Sequence, residues 1–287
     1  MDSSFQLELA EHERIYSKII EPISFLGTSS SEQPRMLIIA AQTGAGKSGL
    51  VDLSVKEFKD GNVVTVNTDD LRAYHPQFDE IVVLDDTRSA ERTHHDASTW
   101  KNKLLSRSIE TRRNIVLEGV FKDSHSLTEL VKLAKGSGYS VTIRIVAAHE
   151  RYSVWGINRR YEKEKIVRGH GRYVPIEYHD ECYRKLLDSV EAVEQQTMAD
   201  RIEVYNRSGH QLYSNELVND DWKLSPNAKQ AIDEERNRKL TDKECDEYIG
   251  SWPRVFEYMH DRGASSAEIE KVNALADRFI QELKSSN

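Results

Sequence analysis

A mostly parallel α/β sheet with helices on both faces is the fold the sequence predicts, on three observations. Short apolar runs rich in β-branched residues recur along the 287 residues, continuous in hydrophobicity as strands buried on both faces are. Helix-like stretches separate them, and strand alternating with helix places parallel strands side by side with helices above and below. One run passes directly into a loop of small residues, "AAQTGAGKSGLVDL" at 40–53, and then into a helix.

In chain order, residues 6–26 set Leu7, Leu9, Ile15, Ile19 and Ile20 among charges at near-helical spacing, an N-terminal amphipathic helix that packs on the domain. "GTSSSEQP" at 27–34 is a loop by its Gly, Ser and Pro content. The strands are 36–41, 63–67, 114–119, 141–148 and 202–206, and helices are expected over 46–58, 90–111, 124–135, 149–166 and 176–197. "NRSGHQLY" at 206–213 reads as a Ser-Gly turn into a short antiparallel partner. From Ser225 the chain is helical and charged: Ser225 is the expected N-cap with Pro226 at the first helical position, and Thr241–Glu244 and Ser265–Glu268 are capping boxes. This gives an N-terminal helix and loop at 1–34, a central domain at 35–215 and a C-terminal helical extension at 216–287.

Composition narrows the function. With 38% hydrophobic and 31% charged residues the chain is polar but globular, and a net charge of −8 argues against a protein that coats nucleic acid. No apolar run approaches the ~20 residues of a membrane span, and the N-terminus lacks a basic region followed by an apolar one. The two cysteines, Cys182 and Cys245, fit neither a disulfide framework nor a zinc site, so a cytoplasmic protein without nucleic-acid or membrane partners is expected.

Residues 41–48 fit the phosphate-loop pattern G-x-x-x-x-G-K-[ST], with Ala41 at the first glycine. Gly44 and Gly46 let successive backbone N–H groups turn inward around phosphates, Lys47 reaches the β- and γ-phosphates, and Ser48 offers its hydroxyl to Mg²⁺. Gln42, Thr43, Gly44, Ala45, Gly46, Lys47, Ser48 and Gly49 are therefore the expected ATP-binding residues. The guanine signature N-K-x-D is absent from the sequence. A small-molecule kinase remains, and with it a P-loop kinase fold.

Such an enzyme needs a base for the acceptor hydroxyl. Asp69 and Asp70 follow the second strand at its carboxyl end, where open α/β sheets bind ligands; the alternative is that one of them merely caps the next helix. Glu118 ends the third strand, where it could order Mg²⁺ or its waters, and Lys122 could meet an anionic substrate; the bland reading of each is a surface charge. Arg159, Arg160, Lys163, Lys165, Arg168 and Arg172 fall within fourteen residues, a lid-like cluster that Gly169 and Gly171 could hinge, or else a solvated face. The adjacent His94 and His95 read as helix surface, and the four tryptophans as packing residues.

These motifs together resemble the zeta-toxin family of P-loop kinases, toxins of toxin–antitoxin systems that phosphorylate UDP-N-acetylglucosamine. The landmarks are "QTGAGKS" at 42–48, D-x-x-R-x-x-H-P-x-F-D from Asp69 to Asp79, "LEG" at 117–119, "RRYE" at 159–162, R-x-x-P-x-x-x-H-D from Arg172 to Asp180, "YNRSGHQLYS" at 205–214 and "ERNRK" at 235–239. The resemblance implies that Asp69 deprotonates the sugar 3′-hydroxyl, that Lys47 and Ser48 hold ATP and Mg²⁺, and that Arg160 and Arg172 meet the transferred phosphoryl group. Arg72 falls where the family often has a basic residue. On the acceptor side the chain departs from the family: Asn102 stands for a glutamate, Val120 for a threonine after Glu118-Gly119, and Lys122 for an arginine. The acceptor is thus a nucleotide sugar or, given those departures, another molecule such as NAD or an aminosugar-like antibiotic; a switch that binds ATP without transfer is the non-enzymatic alternative. The family also implies an antitoxin. The segment before Met36 is too short to be a full antitoxin fused to the chain, although its helix could pack near the phosphate loop, so a partner in trans, or none, is expected.

Overall fold

The five apolar runs become five adjacent parallel strands in a computed structural model that describes residues 5–286. Met1–Ser4 of the 1–34 segment and Asn287 lie outside the described residues. The strands are β1 Arg35–Ala40, β2 Val64–Val66, β3 Ile115–Gly119, β4 Ser140–Ala147 and β5 Arg201–Asn206, followed by the antiparallel β6 Gln211–Val218 and β7 Asp221–Trp222. Their order is β2-β3-β1-β4-β5-β6-β7. Because β1 runs between β3 and β4 in register (Ile38 opposite both Leu117 and Ile143), its carboxyl end is flanked on both sides, and Met36–Ala40 have no exposed surface. The turn from β5 to β6 is closed by Gly209 at φ +83° and by Asn206 Oδ1, which accepts from the Ser208 and His210 amides.

The N-terminal segment forms α1 Leu9–Ile15, a π-helical turn Tyr16–Ile20 and α2 Glu21–Ser24. Its inward face differs from the expected one: Leu9 is exposed, while His12, Ile15, Tyr16 and Ile20 are buried. His12 packs inward because it has partners: its ring Nε2 lies 3.3 Å from the Asp96 carbonyl. The Trp100 indole N–H donates to the His12 carbonyl at 3.0 Å, and the two rings stack at 4.8 Å. The helix therefore lies against the helix that carries Trp100.

Between β1 and β2 runs α3 Lys47–Val55. Between β2 and β3 come α4 Thr68–Leu71, a 3₁₀ turn Arg72–Tyr74, α5 Phe78–Asp85, α6 Ser89–Arg92 and α7 His94–Glu110. Helix stops after Tyr74 because Pro76 cannot donate and forces His75 into extended backbone, ψ 123°. α8 Ser124–Gly136 joins β3 to β4, and the long α9 Glu150–Arg168 and α10 Ile176–Gln195 join β4 to β5. None of the described helices is long and apolar enough to cross a membrane.

The C-terminal helices are α11 Ala228–Asn237, α12 Asp242–Ser251, α13 Pro253–Asp261 and α14 Ser266–Ser286. Both capping boxes form. The expected start at Ser225 and Pro226 does not: α11 begins two residues later, because the buried Glu194 carboxylate of α10 accepts the Asn227 and Ala228 amides at 3.2 and 2.9 Å. A carboxylate from elsewhere in the fold replaces the local cap. One core fills one side of the sheet around Ile38, Leu117 and Trp100; another, around Trp252, Val255, Met259 and Phe279, includes Val154, so the C-terminal helices pack against α9.

Candidate active site

The phosphate loop leaves β1 and is moulded against α9. Gly46 sits at φ +92° and Gly44 at φ +79°, both left-handed, and a Cβ on Gly44 would stand 2.1 Å from the Ser153 carbonyl oxygen. Gly156 faces it from α9: a Cβ there would come within 2.5 Å of the Gly44 carbonyl oxygen. Ala41, in place of the pattern's first glycine, is fully buried without displacing the loop, and its amide continues the sheet to the Gly119 carbonyl. The Gln42 side chain points behind the loop, donating to the Ala148 carbonyl at 2.8 Å and accepting from Arg236 at 3.2 Å, so Gln42 offers a ligand only its backbone. Ser48 and Gly49 are exposed on the first turn of α3. Thr43 Oγ1 is buried with no partner.

Lys47 folds back over the loop, its Nζ donating to the Ala41 and Gln42 carbonyls at 3.3 Å each and standing 4.0 Å from Glu118 Oε1. Burial lowers its pKa, against the pull of Glu118. Burial likewise raises that of Glu118, with Lys47 opposing. An ammonium short of counter-charge and water at a glycine-lined loop is chemically suited to a polyphosphate.

Asn67, not either aspartate, caps α4: its Oδ1 accepts the Asp69 amide at 3.0 Å, while its Nδ2 reaches Glu118 at 3.4 Å. The Asp69 carboxylate is thereby free of capping duty and sits between two guanidiniums. Arg72 Nε donates to Oδ1 at 3.1 Å and Arg172 closes on Oδ2. Burial alone would raise the Asp69 pKa, but Arg172 and Arg72 outweigh it and hold the carboxyl below the ordinary value. Arg72 is itself fixed by the Ala90 carbonyl and Thr93 Oγ1, at 2.7 and 3.0 Å. Asp70 is exposed, its pKa raised by partial burial and by Asp69.

Arg160, on the inner side of α9, has two buried guanidinium nitrogens, Nε and Nη2, with no acceptor. Burial and the neighbouring Arg172 pull its pKa down to about 10. Arg172 comes from the segment after α9, where Gly169 at φ +77° ends the helix. Gly171 is no free hinge, since a Cβ there would lie 2.5 Å from the Tyr161 carbonyl oxygen.

Lys47, Asp69, Arg72, Glu118, Arg160 and Arg172 are thus one electrostatically connected group. Three expected acceptor-side residues stand differently. Lys122 is paired with Glu181 of α10 at 2.8 Å and lies over the Tyr178 ring. Val120 is half-buried just beyond β3. Asn102 is exposed on the outer side of α7, in a surface cavity of about 370 Å³ with Tyr16, Lys103, Ser106 and Glu110, and the structure does not bring it to Asp69.

Two residues that the sequence reading gave no role, His94 read as helix surface and Arg207 within the "YNRSGHQLYS" landmark, lie near this group. His94, at the start of α7, is coupled to Arg72, Asp69 and Lys122, with burial the larger cause of its lowered pKa. Arg207, after β5, packs over Tyr152 and Trp155 at 5.4 and 5.0 Å and reaches the space in front of Gly46. Its place in the "YNRSG" turn was the available signal. Behind the loop, the buried Ser153 Oγ and His179 Nε2 are 2.7 Å apart and His179 Nδ1 meets the half-exposed Asp180 at 2.8 Å, a polar chain linking α9 to α10.

Comparison with known proteins fits this geometry. Toxin PezT of Streptococcus pneumoniae serotype 4 is 26% identical over 255 residues, spanning 84% of this chain and 97% of that protein. Toxin zeta of Enterococcus hirae is 26% identical over 222 residues, spanning 76% and 74% of the two chains. Among solved structures, a chain from the PezAT chromosomal toxin–antitoxin system of Streptococcus pneumoniae superposes with a TM-score of 0.77 at 23% identity, covering 88% of this chain and 98% of that one. A chain from the AvrRxo1-ORF1:-ORF2 complex with ATP gives a TM-score of 0.52 at 11% identity, covering 94% and 83%. The family model described as zeta toxin matches residues 24–218, and with the phosphate loop, Asp69 and both arginines inside that span, the chain belongs to the zeta toxin family.

Proposed function

We propose that this protein is an ATP-dependent kinase that transfers the γ-phosphoryl group to the 3′-hydroxyl of UDP-N-acetylglucosamine or a related UDP-sugar, as a zeta-type toxin acting on cell-wall synthesis in the cytoplasm. The observation that carries the reading is Arg160: two buried N–H donors without an acceptor, within electrostatic reach of Lys47, Asp69 and Glu118. An unpaired buried guanidinium is costly unless an anion completes it, and a transferring phosphoryl group is such an anion.

In this reading Gln42–Gly49 cradle the ATP phosphates through backbone N–H groups, and Lys47 stands at the β- and γ-phosphates. Ser48 and Glu118 are the residues that fit Mg²⁺, Ser48 through its hydroxyl and Glu118 directly or through waters; Mg²⁺ commonly keeps waters and takes its remaining ligands from phosphate oxygens. The bound ion would supply charge neutralisation across the phosphates. Asp69 takes the proton of the acceptor hydroxyl as that oxygen attacks phosphorus and the bond to ADP breaks. Arg172 has two stations, on Asp69 in the free protein and on the phosphoryl oxygens during transfer; leaving Asp69 is what makes that carboxylate a stronger base. Residues 35–215 form the kinase body in this reading, with 1–34 and 216–287 as supports. The relatives named as toxins, one of them in a toxin–antitoxin system, support an antitoxin partner acting in trans.

A second reading keeps the chemistry and changes the acceptor to NAD or an aminosugar-like antibiotic. The outward position of Asn102 and the pairing of Lys122 with Glu181 favour it, because neither side chain is held ready for a UDP-sugar. Incubating the protein with ATP, Mg²⁺ and a panel of UDP-sugars, dinucleotides and aminosugars, then weighing the products, tests both. A gain of one phosphate on a UDP-sugar supports the first reading and on another acceptor the second; no gain anywhere leaves an ATP-binding switch and overturns both.

A further inference from the structure

The segment that carries Arg172 is tied down by one carboxylate from the stretch between β2 and β3. Asp86, the residue after α5, receives three donors from α9 and its continuation. The Gly171 amide donates to Oδ2 at 3.0 Å, the Tyr161 hydroxyl to Oδ1 at 3.1 Å, and Lys165 Nζ pairs with Oδ2 at 3.2 Å. The Asp86 side chain is 11% exposed, so these bonds are made largely out of water, where a carboxylate left with fewer partners is costly. Lys165 is braced in turn by the Tyr161 hydroxyl at 3.1 Å. On the same stretch Phe78 of α5 meets the His170 ring edge-on, and Glu164 accepts the Arg172 amide at 2.8 Å. Residues 170–172 are therefore gripped from α5 on one side and α9 on the other. The Gly171 amide can reach Asp86 only because no Cβ stands between that backbone and Tyr161.

We infer that Asp86 is a positioning residue for phosphoryl transfer: it fixes the backbone from which Arg172 reaches either Asp69 or the transferring group. The kinetic half of this inference rests on the proposed kinase reading; the structural half does not. Asp86 touches neither the phosphate loop nor Asp69, and it acts through the Gly171–Arg172 peptide. Holding an arginine to within an ångström of its task is worth about 100-fold in rate when lost, without change in the affinity of a nucleotide bound elsewhere.

The test uses the full chain and two variants, Asp86→Ala and Lys165→Met, the second leaving Asp86 with its bonds to Gly171 and Tyr161. Hydrogen exchange followed by mass spectrometry on the peptide covering 169–173 needs no acceptor. Asp86→Ala should speed it roughly tenfold or more, Lys165→Met less, and the peptide covering β1 in neither. With the acceptor found by the product screen, Asp86→Ala should lower kcat by about 10- to 100-fold and leave the KM for ATP within roughly twofold. Unchanged exchange at 169–173 in both variants overturns the latch, as does unchanged kcat once exchange has quickened. Should the natural sequence phosphorylate nothing, the kinase reading fails by itself while the exchange result still decides whether Asp86 holds this segment.

Discussion

The guanidinium of Arg172 closes on one oxygen of Asp69 while Arg72 holds the other at 3.1 Å, so the carboxylate beyond β2 is charge-compensated on both sides in the free protein. Replacing Asp69 with Asn keeps the volume and the Arg72 contact but removes the proton acceptor. Transfer should fall about 10²- to 10⁴-fold, as loss of a general base does, with ATP affinity by calorimetry nearly unchanged. Turnover within twofold of the natural chain would remove Asp69 from the base role.

Arg172 also sets the pH range of that base. Burial raises the Asp69 pKa and Arg172 is the first of the charges that bring it below the ordinary value, so Arg172→Ala should let it climb. The acid limb of the kcat/KM profile should then move to higher pH, with a lower plateau. An acid limb at the same pH in both proteins would show that another group titrates there.

Arg160→Ala separates function from stability. Its unpaired nitrogens make Arg160 an expense to the folded state, so the melting temperature should stay level or rise. Phosphoryl transfer should drop on the order of 10³-fold or more, the range in which arginines act in related chemistry. A large loss of stability with little loss of rate would make Arg160 a structural residue.

Gly156→Ala carries opposite local and tertiary expectations. Alanine favours a helix interior over glycine by about 1 kcal/mol, but its Cβ would press on the Gly44 carbonyl oxygen from 2.5 Å. Forced displacement of packed backbone costs about 1–3 kcal/mol, so ATP binding should weaken by up to roughly 5- to 150-fold. Unaltered ATP affinity would mean that loop and helix move apart at no cost.

His149 caps α9 through Nδ1, which accepts the Arg151 amide at 3.1 Å, and burial together with Arg151, Arg236 and Arg278 depresses its pKa to about 4. The unfolded chain, with an ordinary value of 6.5, takes up the proton first as pH falls. Stability from this group is whole above pH 6.5, declines down to about 4 and falls no further below that. His149→Asn, an acceptor that does not titrate there, should flatten this part of a melting-temperature profile; an equally steep profile would place the decline elsewhere.

The sheet and the loop after β1 were legible because each has a local signature, β-branched runs and glycines where left-handed backbone is required, whereas clustered charge marked six basic residues and only the family resemblance singled out Arg160 and Arg172 among them. What escaped depends on residues distant in sequence. Glu194 sets the start of α11 from α10 and overrules Ser225. His12 takes an inward position that a hydrophobic pattern assigns to Leu9, because Trp100 gives it a partner. Alignment to a family motif could place Asn102 opposite a glutamate, but not say that its side chain lies on the outer side of α7. Whether Asp69 capped a helix was open until Asn67 was seen to do so.

Gly44 and Gly156 meet with no side chain between them to absorb a displacement. From Gly156 the helix continues to Arg168, a rise of about 18 Å at 1.5 Å per residue, before turning into the stretch that bears Arg172. This helix meets the phosphate loop at Gly156 and, through Tyr161 and Lys165, the Asp86 carboxylate that holds the Gly171 amide. On the proposed reading, a single helix thus carries both the seat of the loop that would hold ATP and the anchor of the segment whose arginine would meet the transferred group.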